Sequence, residues 1–192
     1  VLLALFHKDV YESVTNVLHR GERKSDATIL NDTKEVCVLI IGESARSQNF
    51  ELYGYERNTN PLLKGDSVAV LRAESAATYT TAGVKAIIDH KATDKLYEIL
   101  PNYLHRHGVD VVWRSNNWGE PPLHIDNVES VATLKKMYPA SDERYDGILT
   151  QGLAERIASS SANKVLIVLH TSTSHGPTYF KKYPAEFERF TP

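Results

Sequence analysis

The stretch VLIIGESARSQNFELYGYERNTNP, residues 38–61, decides how this 192-residue chain is read. Its first four residues, Val38 to Ile41, form a continuous apolar run, the pattern of a strand covered on both faces. Gly42 ends the run, and an acid, Glu43, follows at the strand's carboxyl end. In an open α/β sheet the ligand crevice lies along that edge, so a carboxylate there can coordinate a cation or orient a substrate. It can equally cap a following helix, and position alone leaves both roles open.

Outward from this strand, the pattern predicts further strands at 67–72, 109–115 and 164–170, the first covering 36–42. Helices are expected at about 45–52, 80–90, 94–107 and 145–160. Strands alternating with helices mean βαβ units and a mostly parallel sheet. The segment DKLYEILPNYLHRHG, residues 94–108, carries a helical stripe at Leu96, Ile99, Leu100, Tyr103 and Leu104, which Pro101 bends or splits. Residues 1–19 have the pattern of an amphipathic helix, and the polar, turn-rich segment after them resembles an entry linker, so the expected division is 1–34 and 35–192.

Composition narrows the class. With 42% hydrophobic and 24% charged residues the chain has an ordinary globular balance and can bury one sizeable core. A net charge of −2, with no basic run, argues against nucleic acid as a partner. Cys37 is the single cysteine, which excludes an intrachain disulfide. No stretch approaches the roughly 18 apolar residues of a membrane helix. The first residue is not Met, so a longer chain with an anchor before Val1 is expected.

Three predicted strands end in groups able to do chemistry: Glu43, then Asn116 and Asn117 after VVWRS, then His170 and His175 in VLIVLHTSTSHGP. In a parallel sheet these ends share one side, gathering an acid, amides and histidines as a phosphoryl or acyl transfer site requires. Taken singly, a histidine past a strand also serves as hydrogen-bonded structure, and asparagine as a turn former. In ESAATYTTAGVKAIIDH, residues 74–90, the stripe Val84, Ile87, Ile88 is preceded by a Ser/Ala/Thr run. That run marks a helix N-terminus and sets Thr78, Thr80 and Thr81 near its first turn. Threonine there is either a cap or a hydroxyl poised where amides and dipole favour a phosphate.

GESARSQNFELYGYERNTNPLL resembles the opening catalytic motif of the phosphoethanolamine transferases of the alkaline phosphatase and sulfatase superfamily, the lipid A modifying and colistin resistance group. WRSNNWG at 113–119, YDGILTQGL at 145–153 and the last 24 residues, LHTSTSHGPTYFKKYPAEFERFTP, match in the same order. The resemblance implies a three-layer α/β/α sandwich with a mostly parallel central sheet, anchored in the bacterial inner membrane with this domain in the periplasm. It implies zinc held by Glu43 and the nucleophile, with further ligands beyond Pro192. It implies Thr80 as that nucleophile, Thr81 as the alternative, and Asn116 and His175 as contacts to the transferred group. Phosphatidylethanolamine is the implied donor, and lipid A or another glycan the implied acceptor. The chain alone is expected to bind zinc poorly. Two features depart from the group: cysteines around the helix and loop are missing, and Glu120-Pro121-Pro122 stands where colistin resistance proteins carry a lysine. A sulfatase is disfavoured because TTAGV lacks the C/S-x-P-x-R setting of a formylglycine. A phosphoglycerol transferase of the same superfamily, or an inactive headgroup- or partner-binding module, are the alternatives.

Overall fold

The computed structural model describes residues 2–3, 28–63, 68–89 and 98–189. Its spine is the predicted buried strand, β2 (Glu35–Ile41), paired in parallel with β5 (Lys164–His170) from Glu35–Lys164 to Ile41–His170. β3 (Asp110–Ser115) lies on the other side of β5, and β4 (Asn127–Ser130) lies beyond β3, both parallel. A two-residue strand, β1 (Leu2–Leu3), runs antiparallel on the free edge of β2, so the order is β1-β2-β5-β3-β4.

Alternation along the strands divides the core between two faces. Leu39, Ile41, Val111, Trp113, Leu166 and Val168 meet Val84 and Ile88 of helix α1 (Thr80–Ile88) on one face, with Leu104 of α2 (Leu100–Arg106) packed against them. On the other face Val112, Val165, Ile167 and Leu169 meet Leu134 of α3 (Val131–Met137), Ile148 and Leu149, with Leu153 and Ile157 of α4 (Leu153–Ser159) alongside. The result is the expected three-layer α/β/α arrangement around a mostly parallel sheet. Cys37 is a free thiol that burial pushes up to about 11, so it stays protonated and inert.

Several local expectations are corrected. Residues 45–52 form two 3-10 turns, Ser47–Asn49 and Glu51–Tyr53, instead of a helix. There Thr59 Oγ1 and Asn60 Oδ1 accept from the amides of Glu51 and Leu52, diverting donors a helix would use, and Gly54 at φ 94° ends the second turn. Residues 68–72 form no strand, and Val70 and Leu71 are exposed; on the outer edge of β2 it is Leu2–Leu3 that pairs, with Ile41 and Ile40. That pairing also replaces the start of the helix expected over 1–19, the rest of which lies outside the described residues. Pro101 stands in the first turn of α2, where its missing N–H is not needed; α2 begins at Leu100, and most of the earlier half of the helix expected over 94–107 lies outside the described residues. β4 and α3 were not anticipated, because four alternating residues and one seven-residue helix give little periodic pattern.

The helix expected over 145–160 divides into a 3-10 turn, Asp146–Thr150, and α4. The break is Gly152, left-handed at φ 59°, whose added Cβ would run into the Tyr138 hydroxyl. Gly152→Ala is therefore expected to cost about 2–3 kcal/mol, from the unfavourable φ and the displaced tyrosine together. Urea unfolding checks this as a lower midpoint at unchanged slope.

Candidate active site

Glu43 follows the last residues of β2 in a turn where Ser44 holds φ 48°, a left-handed value a non-glycine residue adopts at a cost. No helix follows for the carboxylate to cap. Its Oε2 accepts from Thr80 Oγ1 and from Asn117 Nδ2, each at 2.9 Å, and its Oε1 from Ser44 Oγ at 2.7 Å. Burial would raise its pKa, but these hydrogen bonds and the nearby His175 together lower it, so the group stays ionised at neutral pH.

Thr80 is the first residue of α1. The cap position is Tyr79, whose side chain makes no capping hydrogen bond, and the Thr80 hydroxyl donates to Glu43. The hydroxyl is thus committed to the strand end, at the helix terminus where amides and dipole favour an anion. Thr81 is more exposed and lies against the loop after β3: a Cβ added at Gly119, which holds φ 90°, would stand 3.4 Å from Thr81 N and Oγ1. Glycine lets that loop approach the helix closely.

The two asparagines take different partners. Asn116 donates through Nδ2 to Asp146 Oδ1 at 3.0 Å, whereas Asn117 Nδ2 reaches both Glu43 and the Thr171 carbonyl at 2.9 Å. Asn117 thereby ties the ends of β2, β3 and β5 together. Asp146 organises the other side, accepting from the Ser172 and Thr173 amides at 3.0 and 2.8 Å. The sequence names Asn117 beside Asn116 at this strand end but assigns the substrate contact to Asn116 alone, and it gives no role to Asp146, for which the available signal is an acid opening a turn.

His175 Nδ1 lies 2.8 Å from the Gly176 carbonyl, which can only accept, so Nδ1 carries the proton and a neutral ring keeps its lone pair on Nε2. The Trp118 ring stands 5.1 Å from the imidazole. His170 serves a different purpose. It is buried, with Nδ1 3.1 Å from Ser115 Oγ and 3.2 Å from Glu120 Oε1. Burial would raise the Glu120 pKa, but hydrogen bonds from His170 and Ser115 outweigh it and hold the carboxyl at about 2 instead of the usual 4.5. A carboxylate held low contributes stability above its unfolded value and loses it as pH falls toward its folded one. Glu120→Gln is accordingly expected to flatten the fall in stability between about pH 4.5 and 2, read from urea unfolding across that range.

Glu43 and Thr80 present two hard oxygen donors side by side, a pair that fits a divalent cation as part of its ligand set. Among the described residues no group of three His, Cys, Asp or Glu converges to complete one.

Fold and site together define an α/β domain whose polar groups gather at the carboxyl edge of a parallel sheet. The chain belongs to the sulfatase family, which it matches over residues 35–192. The Helicobacter pylori phosphoethanolamine transferase EptA is 36% identical to it over 168 residues, covering 84% of this chain and 32% of that protein. The Escherichia coli phosphatidylethanolamine transferase Mcr-1 is 31% identical over 173 residues, covering 81% and 32%. The chain thus spans about a third of the length of these curated relatives. Among solved structures, the C-terminal periplasmic domain of phosphoethanolamine transferase EptC from Campylobacter jejuni superposes with a TM-score of 0.69 at 31% identity, over 86% of this chain and 54% of that one. The soluble domain of lipooligosaccharide phosphoethanolamine transferase A from Neisseria meningitidis gives 0.71 at 27% identity, over 87% and 53%.

Proposed function

We propose that this chain carries the nucleophile and part of the metal site of a phosphoethanolamine transferase acting on lipid A or another envelope glycan. The observation that carries the reading is the 2.9 Å hydrogen bond from the Thr80 hydroxyl, at the start of α1, to the ionised Glu43 carboxylate. The names of the relatives supply the donor and the group transferred. A sulfate ester is not the substrate favoured, since the residues around Thr80 lack a formylglycine setting.

In the first half-reaction Thr80 Oγ1 bonds to the phosphorus of phosphatidylethanolamine. The bond from phosphorus to the glycerol oxygen breaks, and diacylglycerol leaves with the proton the threonine gave up. In the second, an acceptor oxygen bonds to phosphorus, the Thr80 ester opens, and the acceptor's proton returns to Thr80. Glu43 orients the hydroxyl and holds its proton at Oε2, while Asn117 fixes the same oxygen from the other side. The α1 terminus faces the anionic group, and His175 Nε2 is free to exchange a proton with the acceptor. Glu43 and Thr80 would hold zinc, which when bound lowers the hydroxyl's pKa and stabilises charge on the phosphoryl oxygens.

The same reading places a membrane anchor before the sheet, in the bacterial inner membrane, with this domain facing the periplasm. Among the described residues no helix is long and apolar enough to cross a membrane. The decisive experiment offers the full-length protein labelled phosphatidylethanolamine and phosphatidylglycerol. Transfer from the first, lost on chelation and restored by zinc, is expected. Transfer from the second alone would make it a phosphoglycerol transferase, and transfer from neither would leave a binding module.

A further inference from the structure

Where β3 and β5 end side by side, the sheet buries two polar side chains that the proposed chemistry does not use. The register sets Ser115 opposite His170, 6% and 1% exposed, at the ends of strands whose preceding buried residues are mostly apolar. Among the described residues Arg114 is the one other buried polar or charged side chain, and its partners lie elsewhere, on Glu129 and the carbonyls of Leu149 and Gln151. Burying a polar group costs free energy unless its hydrogen bonds are made, and an aliphatic pair would join these strands without that cost.

The hydrogen bonds of the pair lead in one direction. Glu120 is ionised and can only accept, so His170 Nδ1 carries the proton, with Glu120 Oε1 at 3.2 Å and Ser115 Oγ at 3.1 Å. Ser115 Oγ in turn donates to the Asn117 carbonyl at 3.1 Å and accepts from the Asn117 amide at 3.2 Å. Strand pairing ends with Ser115, and Asn116 N still reaches the His170 carbonyl at 3.0 Å, so at Asn117 one hydroxyl takes over the work of the ladder. The Asn117 side chain is equally committed: Oδ1 accepts from the Trp118 amide at 2.9 Å, and Nδ2 donates to the Thr171 carbonyl and to Glu43 Oε2. That last oxygen is the one that receives the Thr80 hydroxyl.

We propose that Ser115 and His170 are positioning residues: acting through Asn117, they hold the Glu43 carboxylate in the orientation that receives the Thr80 hydroxyl, a role that rests on the transferase reading above. Without the Ser115 hydroxyl Asn117 is free to swing, Glu43 Oε2 loses one of its two donors, and the carboxylate can turn away from Thr80. A displacement of about 1 Å at a reacting group costs up to about a hundredfold in rate.

The test follows the Thr80 adduct by intact mass as it forms on the full-length protein over a range of phosphatidylethanolamine concentrations. In Ser115→Ala the rate at saturating donor is expected to fall about tenfold with the half-saturating concentration unchanged, because the hydroxyl loses its orientation while donor binding is kept. Asn117→Ala is expected to fall at least as far, and the double variant no further than Asn117→Ala alone, since both act on one carboxylate by one route. His170→Asn, whose amide nitrogen can stand in for Nδ1, is expected to stay within about threefold of wild type, whereas His170→Leu falls about tenfold. This histidine pair reads the relay from its far end should Ser115→Ala fail to fold. A wild-type rate in Ser115→Ala, a change confined to its half-saturating concentration, losses that multiply in the double variant, or His170→Asn as slow as His170→Leu each overturns the proposal. A wild-type protein that forms no adduct overturns the transferase reading and this one with it.

Discussion

Thr80→Ala in the full-length protein is expected to form no phosphoethanolamine adduct and to lose transfer by at least about a thousandfold, while Thr81→Ala keeps the adduct. The two residues are adjacent, yet only Thr80 has its hydroxyl on Glu43, while Thr81 abuts the Gly119 backbone. Removing the Thr80 hydroxyl costs one partly buried hydrogen bond, about 1 kcal/mol, so the unfolding midpoint should scarcely move while activity vanishes. That separation distinguishes a missing nucleophile from a damaged fold. Thr80→Ser, which keeps the oxygen, should retain a detectable adduct. An adduct on Thr80→Ala that maps to Thr81 would reassign the nucleophile, and an adduct on neither single variant but unchanged transfer would remove covalent catalysis altogether.

How much of this was legible in the chain depends on how local the determinant is. The β2 run, the α1 stripe and the strand at 164–170 were readable because an apolar period is written within a few residues of itself. Glu43 and Thr80 were readable as candidates for the same reason: one ends a strand and the other starts a helix. Their contact was not, since 37 residues separate them and the packing of Val84 and Ile88 on the sheet face, a tertiary feature, is what sets α1 beside the end of β2. Asn117 illustrates the limit more sharply. Two adjacent asparagines look alike in sequence, and the turn after β3 alone decides that Asn116 faces Asp146 and Asn117 faces Glu43. The false helix at 45–52 failed through competition, because Thr59 and Asn60 took amides that periodicity alone would assign to a helix.

The same non-local logic makes Arg114 the residue whose loss should most damage stability. It lies on β3 with its side chain 0% exposed, and its Nε donates to Glu129 Oε2 on β4 at 2.7 Å. Its Nη1 donates to the carbonyls of Leu149 and Gln151 at 3.0 and 2.7 Å, pinning the end of the turn that begins with Asp146. Glu129→Ala would leave a buried guanidinium without its counter-charge, and Arg114→Ala would leave a cavity, a buried carboxylate and two unanswered carbonyls. Each is expected to cost about 3–5 kcal/mol in urea unfolding. The double variant Arg114→Met with Glu129→Leu replaces the pair by apolar groups of similar volume and should recover most of that loss, because neither charge is then stranded. Transfer activity should not recover with it. The carbonyl tethers are still gone, and with them the position of Asp146, which holds Asn116 and the backbone leading to His175. Full activity in the stable double variant would show that the ion pair only holds the sheet together, whereas stability without activity ties the buried arginine to the geometry of the site.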